Sequence, residues 1–146
     1  MEYNFKRVHT VKDLSISTIV LFAGVGLFFV SKGLGICITA LGLLRFLICK
    51  GGYKKNGRGI VFTKKSEDLC KVCKSSIAGF LGGKDVKPVI KKGNEGGSVR
   101  LDVYYNKAES IAYAQLYEFC NYTYEPVTEI VELKGNKAEE LIVSIL

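Results

Sequence analysis

The sequence predicts a membrane α-helical hairpin of two transmembrane helices, followed by a small α+β domain. Two apolar runs, Leu14–Ser31 and Gly33–Cys49, are separated by little more than Lys32. As a helix each run would reach about 26 Å, close to the ~30 Å hydrocarbon core of a bilayer. The following 97 residues carry helical and alternating patterns of a length that suits one compact domain.

Four segments follow from these patterns. They are an N-terminal segment of residues 1–13, the hairpin of residues 14–49, a basic glycine-rich connector of residues 50–58, and the α+β domain of residues 59–146. The domain has the predicted order strand, helix, three strands, helix. Its hairpin connections predict a mostly antiparallel four-stranded sheet with both helices on one face.

The elements of the domain are predicted from periodicity and from end signals. The predicted strands cover residues 59–63, 86–90, 98–105 and 111–124, with a turn at residues 93–97. The first helix begins at Ser66, which resembles an N-cap, and follows an apolar stripe to Leu81. A second helical stretch follows Pro126, and Asn136 with Glu139 resembles a capping box before residues 141–146.

Two other interpretations of the apolar runs are less consistent with the sequence. A helical hairpin in a soluble core normally keeps a polar face, whereas Ser17 and Thr18 are the only polar side chains between Ile16 and Val30. A cleaved signal peptide would need a small-residue cleavage site, and here a second apolar run follows at once. The membrane reading is therefore favoured.

Basic residues flank the hairpin on both sides, whereas the connection between the runs offers Lys32 alone. Before the first run lie Lys6, Arg7 and Lys12. After the second lie the predicted membrane-surface residues, Lys50, Lys54, Lys55, Arg58, Lys64 and Lys65. The positive-inside rule then predicts a two-pass protein of the inner or plasma membrane, with both termini and the α+β domain in the cytosol.

Small residues inside the runs permit close helix approach. The predicted helix-packing positions are Gly24, Gly26, Gly35, Gly42 and Arg45. Arg45 lies four residues from the end of its run, so its guanidinium either reaches the headgroups or makes a polar contact inside a bundle. A homo-oligomer formed through the hairpin is expected.

Charge is distributed unevenly along the chain. Residues 1–49 carry a net charge of +3, residues 50–100 carry +9, and residues 101–146 carry −5. Attraction to anionic headgroups explains a basic segment next to the membrane. Nucleic-acid binding would also need a basic face, but no recognition motif accompanies this one, so nucleic acid is not expected as a partner.

Chemical motifs are few, and neither a catalytic set, a metal site nor a cofactor is predicted. Cys70 and Cys73 form a C-x-x-C motif, but Cys73 lies on the apolar stripe and both are read as packing thiols. Redox or zinc chemistry are the alternatives, and zinc would need two further ligands. Asp102 and Glu118 on paired strands suggest a nuclease core, yet residues 111–119 lack the lysine that such a core needs.

Tyrosines are dense on the predicted hairpin of the sheet. Sheet packing explains them by default. On the face away from the helices they would form a candidate binding face: Tyr104, Tyr113, Tyr117, Tyr122 and Tyr124. Glu125, Glu129 and Glu132 follow helical spacing and indicate a solvated helix face.

Three functions remain. The first is a membrane-anchored, oligomeric protein whose cytosolic domain binds a second protein or a small signalling ligand. The second is a membrane-perturbing effector whose soluble domain senses a signal and reorganises the hairpins. That layout is similar to the architecture of bacterial two-helix effectors of antiphage signalling, and no residue motif carries the analogy. The third is a membrane-bound enzyme.

Overall fold

The computed structural model describes residues 5–93 and 98–146, which form two compact units. The described part of the first, here called the helical unit, is residues 5–61, and the second, the sheet unit, is residues 62–146. Together the described residues hold four helices and seven strands, and the strands pair antiparallel.

The helical unit consists of two helices between two short strands. Its elements are β1 (Phe5–Val8), α1 (Val11–Phe28), α2 (Lys32–Ile48) and β2 (Gly52–Lys55). α1 begins with a capping box, in which the Thr10 hydroxyl and the Asp13 carboxylate satisfy each other's backbone N–H groups. β1 pairs with β2, so the two strands connect the start of α1 to the end of α2 at one end of the helix pair.

Glycines allow α1 and α2 to pack closely and antiparallel. A Cβ on Gly24 would lie 2.5 Å from the Thr39 backbone nitrogen, and one on Gly42 would lie 3.0 Å from Leu21 Cγ. At Gly35 the same atom would collide with the backbone of Phe28. No larger side chain fits at Gly24 or Gly35 without separating the helices.

The sheet unit packs two helices on one face of a five-stranded sheet. Its elements are β3 (Val61–Leu69, which starts at the boundary residue), α3 (Cys73–Leu81), β4 (Val99–Asn106), β5 (Ile111–Cys120), β6 (Thr123–Pro126), β7 (Val131–Lys134) and α4 (Asn136–Ile145). β4 lies between β3 and β5, and both β6 and β7 pair with β5. The core is formed by Leu101, Leu116 and their neighbours with Ile77 and Leu141 of the helices.

The predicted hairpin of two transmembrane helices is wrong. Among the described helices, α1 alone is long and apolar enough to cross a membrane. A buried core helix or a signal sequence would pass that test too, so it is weak evidence. α2 has 17 residues and ends at Ile48, because Cys49 turns to an extended conformation with φ −79° and ψ 101°.

The predicted four-stranded sheet of order β-α-β-β-β-α is also wrong. Ser66 does not cap a helix: it continues β3, opposite Asp102, and the helix begins at Cys73. The segment after Pro126 forms β7 instead of a helix, since Val131 and Leu133 pair with β5. These non-local backbone hydrogen bonds override the local helix-start signals.

Two further predictions differ in detail, and a third lies mostly outside the described residues. Residues 86–90 form no strand, and an isolated bridge joins Leu69 to Lys92 instead. The long strand of residues 111–124 breaks into β5 and β6, because Asn121 and Tyr122 take positive φ angles of 49° and 64°. Most of the predicted turn at residues 93–97 lies outside the described residues.

The helix contact predicts different effects at two neighbouring glycines. Gly24→Leu should destabilise the helix pair by about 1–3 kcal/mol, because the side chain enters the space of Thr39. Gly26→Leu is the matched control, since a Cβ there meets nothing within 4 Å. Thermal unfolding of the full chain in mild detergent, followed by circular dichroism, measures both. Equal melting temperatures for the two variants would contradict the packing described.

Candidate functional site

The outside of the helix pair is the first candidate surface. The buried residues of α1 and α2 are Ser17, Gly24, Gly35 and Gly42. Large apolar side chains point outward instead, and the list includes Ile19 at 68% exposure, Phe22 at 73% and Leu47 at 68%. A helix pair in water places such side chains between its helices, so the burial pattern here is reversed.

An apolar groove lies along this surface near the connection between the helices. It has a volume of about 460 Å³ and is lined by Val25, Phe28, Phe29, Ile36, Thr39, Ala40 and Leu43. The Thr39 hydroxyl donates to the Gly35 carbonyl oxygen at 2.8 Å, within its own helix. The groove therefore offers an apolar ligand, such as an acyl chain, a surface whose one hydroxyl is already satisfied.

Polar contacts hold the opposite end of the helix pair together. The Gly51 N–H donates to Asp13 Oδ2 at 2.9 Å, and His9 Nδ1 donates to the Cys49 carbonyl oxygen at 2.9 Å. The His9 ring stacks on Phe46 with 5.2 Å between centroids. These contacts tie the start of α1 to the end of α2 and fix where β1 and β2 leave the helices.

The β1–β2 pair, here called the basic ribbon, is the second candidate surface. Lys6 lies directly opposite Lys54, and Arg7 lies opposite Tyr53. The Arg7 guanidinium sits 5.7 Å from the centre of the Tyr53 ring. Lys6 and Lys54 are exposed, so the ribbon presents positive charge to its surroundings.

The third candidate surface, here called the polar sheet face, lies on the side of the sheet away from α3 and α4. Asp102 is 7% exposed and accepts two hydrogen bonds from Arg100, at 2.7 and 3.2 Å. Lys64 Nζ lies 2.8 Å from Asp102 Oδ2. Tyr104 stands under Lys64 and Tyr124 under Arg100, at 5.3 and 5.6 Å from the ring centres.

The charges of the polar sheet face stabilise one another. Burial raises the pKa of Asp102, but hydrogen bonds from Arg100, Lys64 and Ser66 outweigh it and hold that pKa below its usual value. The hydrogen bond to Asp102 raises the pKa of Arg100. The carboxylate is thus ionised and saturated with donors, which suits a binding surface better than a general base.

The structure separates the predicted tyrosines. Tyr104, Tyr117 and Tyr124 share the polar sheet face, and Tyr117 donates to Gln115 Oε1 at 2.6 Å. Arg100, Asp102, Tyr117 and Tyr124 line a cavity of about 200 Å³ there. Tyr113 lies opposite Tyr104 on the same face but is fully buried, edge-on to Phe62, whereas Tyr122 projects from the β5–β6 turn at 94% exposure.

The predicted membrane-surface lysines also fall into two groups. Lys50, Lys54, Lys55 and Arg58 belong to the helical unit, at or near β2. Lys64 and Lys65 lie on β3 of the sheet unit, where Lys64 pairs with Asp102 and Lys65 pairs with Glu67 at 2.8 Å. Lys65 also donates to the Ile145 carbonyl oxygen.

The predicted helix-packing positions are used within the chain. Gly24, Gly35 and Gly42 form the contact between α1 and α2, whereas Gly26 has open space around it. Arg45 lies in the last turn of α2, and its Nε atom is buried with no hydrogen-bond partner among the described residues. Homo-oligomerisation through the helices stays a prediction.

Two surfaces contain residues that sequence reasoning missed. Lys6 and Arg7 lie beside the connector lysines because β1 pairs with β2, which follows it by more than 40 residues in the sequence. No local sequence pattern predicts this pairing. Arg100 and Asp102 alternate with the core residues of β4. This two-residue spacing in the sequence could have predicted that they share the face away from the core. The sequence suggested a possible nuclease carboxylate at Asp102 and did not predict its ion pairs.

The motifs weighed for chemistry are held in ordinary structural contacts. Glu118 pairs with Lys74 at 2.5 Å on the helix side of the sheet, opposite to the side that holds Asp102. Cys73 is buried in the core and Cys70 donates to the Lys92 carbonyl oxygen at 3.4 Å. Within residues 5–93 and 98–146, no three His, Cys, Asp or Glu side chains group to hold a metal ion.

Comparison of the chain with protein-family models, curated proteins and solved structures gives no match. The proposals below therefore rest on the geometry of the three surfaces.

The ion pairs of Asp102 predict a defined pH dependence. Because the folded-state pKa lies below its usual value of 3.8, the stabilisation is complete above pH 3.8 and is lost as pH falls through the lowered pKa. Asp102→Asn should cost about 2 kcal/mol near neutral pH, less than a fully buried pair because Arg100 is partly exposed. It should also flatten the loss of stability in acid.

Urea unfolding of the full chain in mild detergent at several pH values measures this effect. Glu118→Gln is the control, since the Glu118 side chain is more exposed than that of Asp102, 20% against 9%, and pairs with Lys74 alone, whereas Asp102 pairs with both Lys64 and Arg100. Equal destabilisation by the two substitutions at neutral pH would show that the Asp102 ion pairs contribute no more to the free energy of unfolding than the Glu118–Lys74 pair.

Proposed function

We propose that this protein is membrane-associated, that its helix pair is the part that enters lipid, and that its sheet unit is an interaction module. The observation that carries the proposal is the reversed burial of α1 and α2, with glycines inside and large apolar side chains outside. In lipid the apolar outside faces acyl chains, and close packing of small residues holds the helices together.

Water is an unfavourable surrounding for the same surface. Monomeric soluble proteins rarely expose contiguous apolar patches larger than a few hundred Å². Here large exposed side chains recur along both helices, from Ile16 and Phe22 to Leu41 and Leu47. The proposal concerns membrane association of the pair as a whole and assigns no number of crossings.

The sheet unit supports the second half of the proposal through its polar sheet face. Lys64, Arg100 and Asp102 offer fixed charges of both signs, and Tyr117 and Tyr124 line the cavity beside them. Tyrosine and arginine are enriched at binding interfaces, and a tyrosine ring buries a large area at low entropic cost. We propose a protein or small polar ligand as the occupant of this face, on the cytosolic side of the membrane.

Flotation with phosphatidylcholine vesicles tests membrane association of the full chain. The wild type should float with the vesicles and should resist extraction by alkaline carbonate. Phe22→Lys combined with Leu41→Lys should shift the protein into the soluble fraction, because both positions are exposed near the middle of their helices and a cation at a helix centre costs about 2.5–3.5 kcal/mol in lipid.

Val143→Lys is the matched control for that experiment. Val143 is apolar and 77% exposed, but it lies on α4 of the sheet unit, so this variant should float like the wild type. Failure of the wild type to float would contradict the proposal. So would flotation of the Phe22→Lys/Leu41→Lys variant at the wild-type level.

A further inference from the structure

The basic side chains of the helical unit gather at one end of the helix pair. Described residues 5–61 contain nine basic and one acidic side chain. Eight of the nine lie at the end where α1 begins and α2 finishes: Lys6, Arg7, Lys12, Arg45, Lys50, Lys54, Lys55 and Arg58. The one acid, Asp13, already accepts hydrogen bonds from Thr10 and from the Gly51 N–H.

The register of the basic ribbon brings like charges together. Lys6 and Lys54 are direct cross-strand partners, and like charges in that position destabilise a strand pair. Neither lysine makes an ion pair with any residue that the structure describes. An anion placed between them would remove this repulsion.

A second observation points to the same kind of ligand. The Nε of Arg45 is buried without a hydrogen-bond partner among the described residues, and Arg45 lies in the last turn of α2, at the end that carries the basic ribbon. Arg45 also interacts electrostatically with the Asp13 carboxylate, and the outer N–H groups of a guanidinium suit the oxygens of a phosphate. The end of the helix pair thus combines an unsatisfied donor with a surrounding excess of positive charge.

We propose that the basic ribbon and Arg45 bind the phosphate groups of anionic phospholipids at the membrane surface. The inference rests on the proposed membrane association, because insertion of the helices brings this end to the headgroup layer. β1 ends at Val8, close to the Thr10 cap of α1, and β2 begins at Gly52, shortly after Ile48 ends α2. A bilayer therefore accounts for the apolar helices and the basic ribbon together, whereas a nucleic acid accounts for the ribbon alone.

Lipid titration of the full chain in a zwitterionic detergent tests the inference. The probes are short-chain phosphatidylglycerol and short-chain phosphatidylcholine, with bound lipid counted by native mass spectrometry. The wild type should retain phosphatidylglycerol in preference, and raising the salt concentration should weaken that preference. Lys6→Gln combined with Lys54→Gln should weaken phosphatidylglycerol binding roughly 10- to 30-fold, at about five-fold per surface cation.

The matched control removes the same charge elsewhere. Lys84 and Lys107 are exposed lysines of the sheet unit, so Lys84→Gln with Lys107→Gln should bind within about two-fold of the wild type. Lys6→Gln with Lys54→Gln removes a like-charge pair, and its melting temperature should match or exceed that of the wild type. Arg45→Lys keeps the charge but loses the fork of donors, and should bind more weakly than the wild type.

Several outcomes would overturn the inference. They are equal retention of the two lipids, unchanged binding by the Lys6→Gln/Lys54→Gln variant, displacement of the lipid by millimolar inorganic phosphate, or tighter binding of a single-stranded oligonucleotide. Flotation with phosphatidylcholine vesicles separates this failure from failure of the proposed function. A protein that floats but shows no preference for phosphatidylglycerol refutes the headgroup site alone.

Discussion

The close contact between α1 and α2 is the constraint on which the helical unit depends. The glycines at positions 24, 35 and 42 let the helices approach so closely that no large side chain fits at these contacts. Larger apolar side chains such as Phe22 and Leu47 therefore lie on the outside. A pair built in this way has no apolar interior of its own to stabilise it in water. Under the proposed membrane association, lipid supplies the apolar medium, and the capped, hydrogen-bonded end with the basic ribbon lies where that medium stops.

The sheet unit differs from the helical unit because it buries its apolar residues in a core of its own. Alternation along β4 directs Leu101 and Val103 to the helices, and directs Arg100 and Asp102 to the other face. The charged residues there are too well paired for acid–base chemistry and are partly exposed beside tyrosine rings. The same alternation that builds the core therefore also builds a surface suited to recognition.

Sequence patterns predicted local features better than non-local ones. The β4–β5 hairpin and the two apolar helices follow from short-range periodicity. In the sequence, Ser66, Glu67 and Asp68 resemble the start of a helix. In the structure, backbone pairing with β4 keeps them in a strand. The lysines of β2 were predicted as a surface, whereas the pairing that adds Lys6 and Arg7 to them spans two helices and leaves no local signal. Two transmembrane helices were predicted from the length and apolar character of the runs, and among the described helices one is long and apolar enough to cross a membrane.

The environment of Phe22 tests the central claim most directly. The chain contains no tryptophan, so Phe22→Trp introduces a single reporter on the outside of α1. In vesicles, lipids brominated on the acyl chains should quench its fluorescence, and aqueous acrylamide should not. Tyr122→Trp, on an exposed turn of the sheet unit, should respond in the opposite way. Quenching of the position-22 tryptophan by acrylamide, with no effect of brominated lipid, would contradict the account.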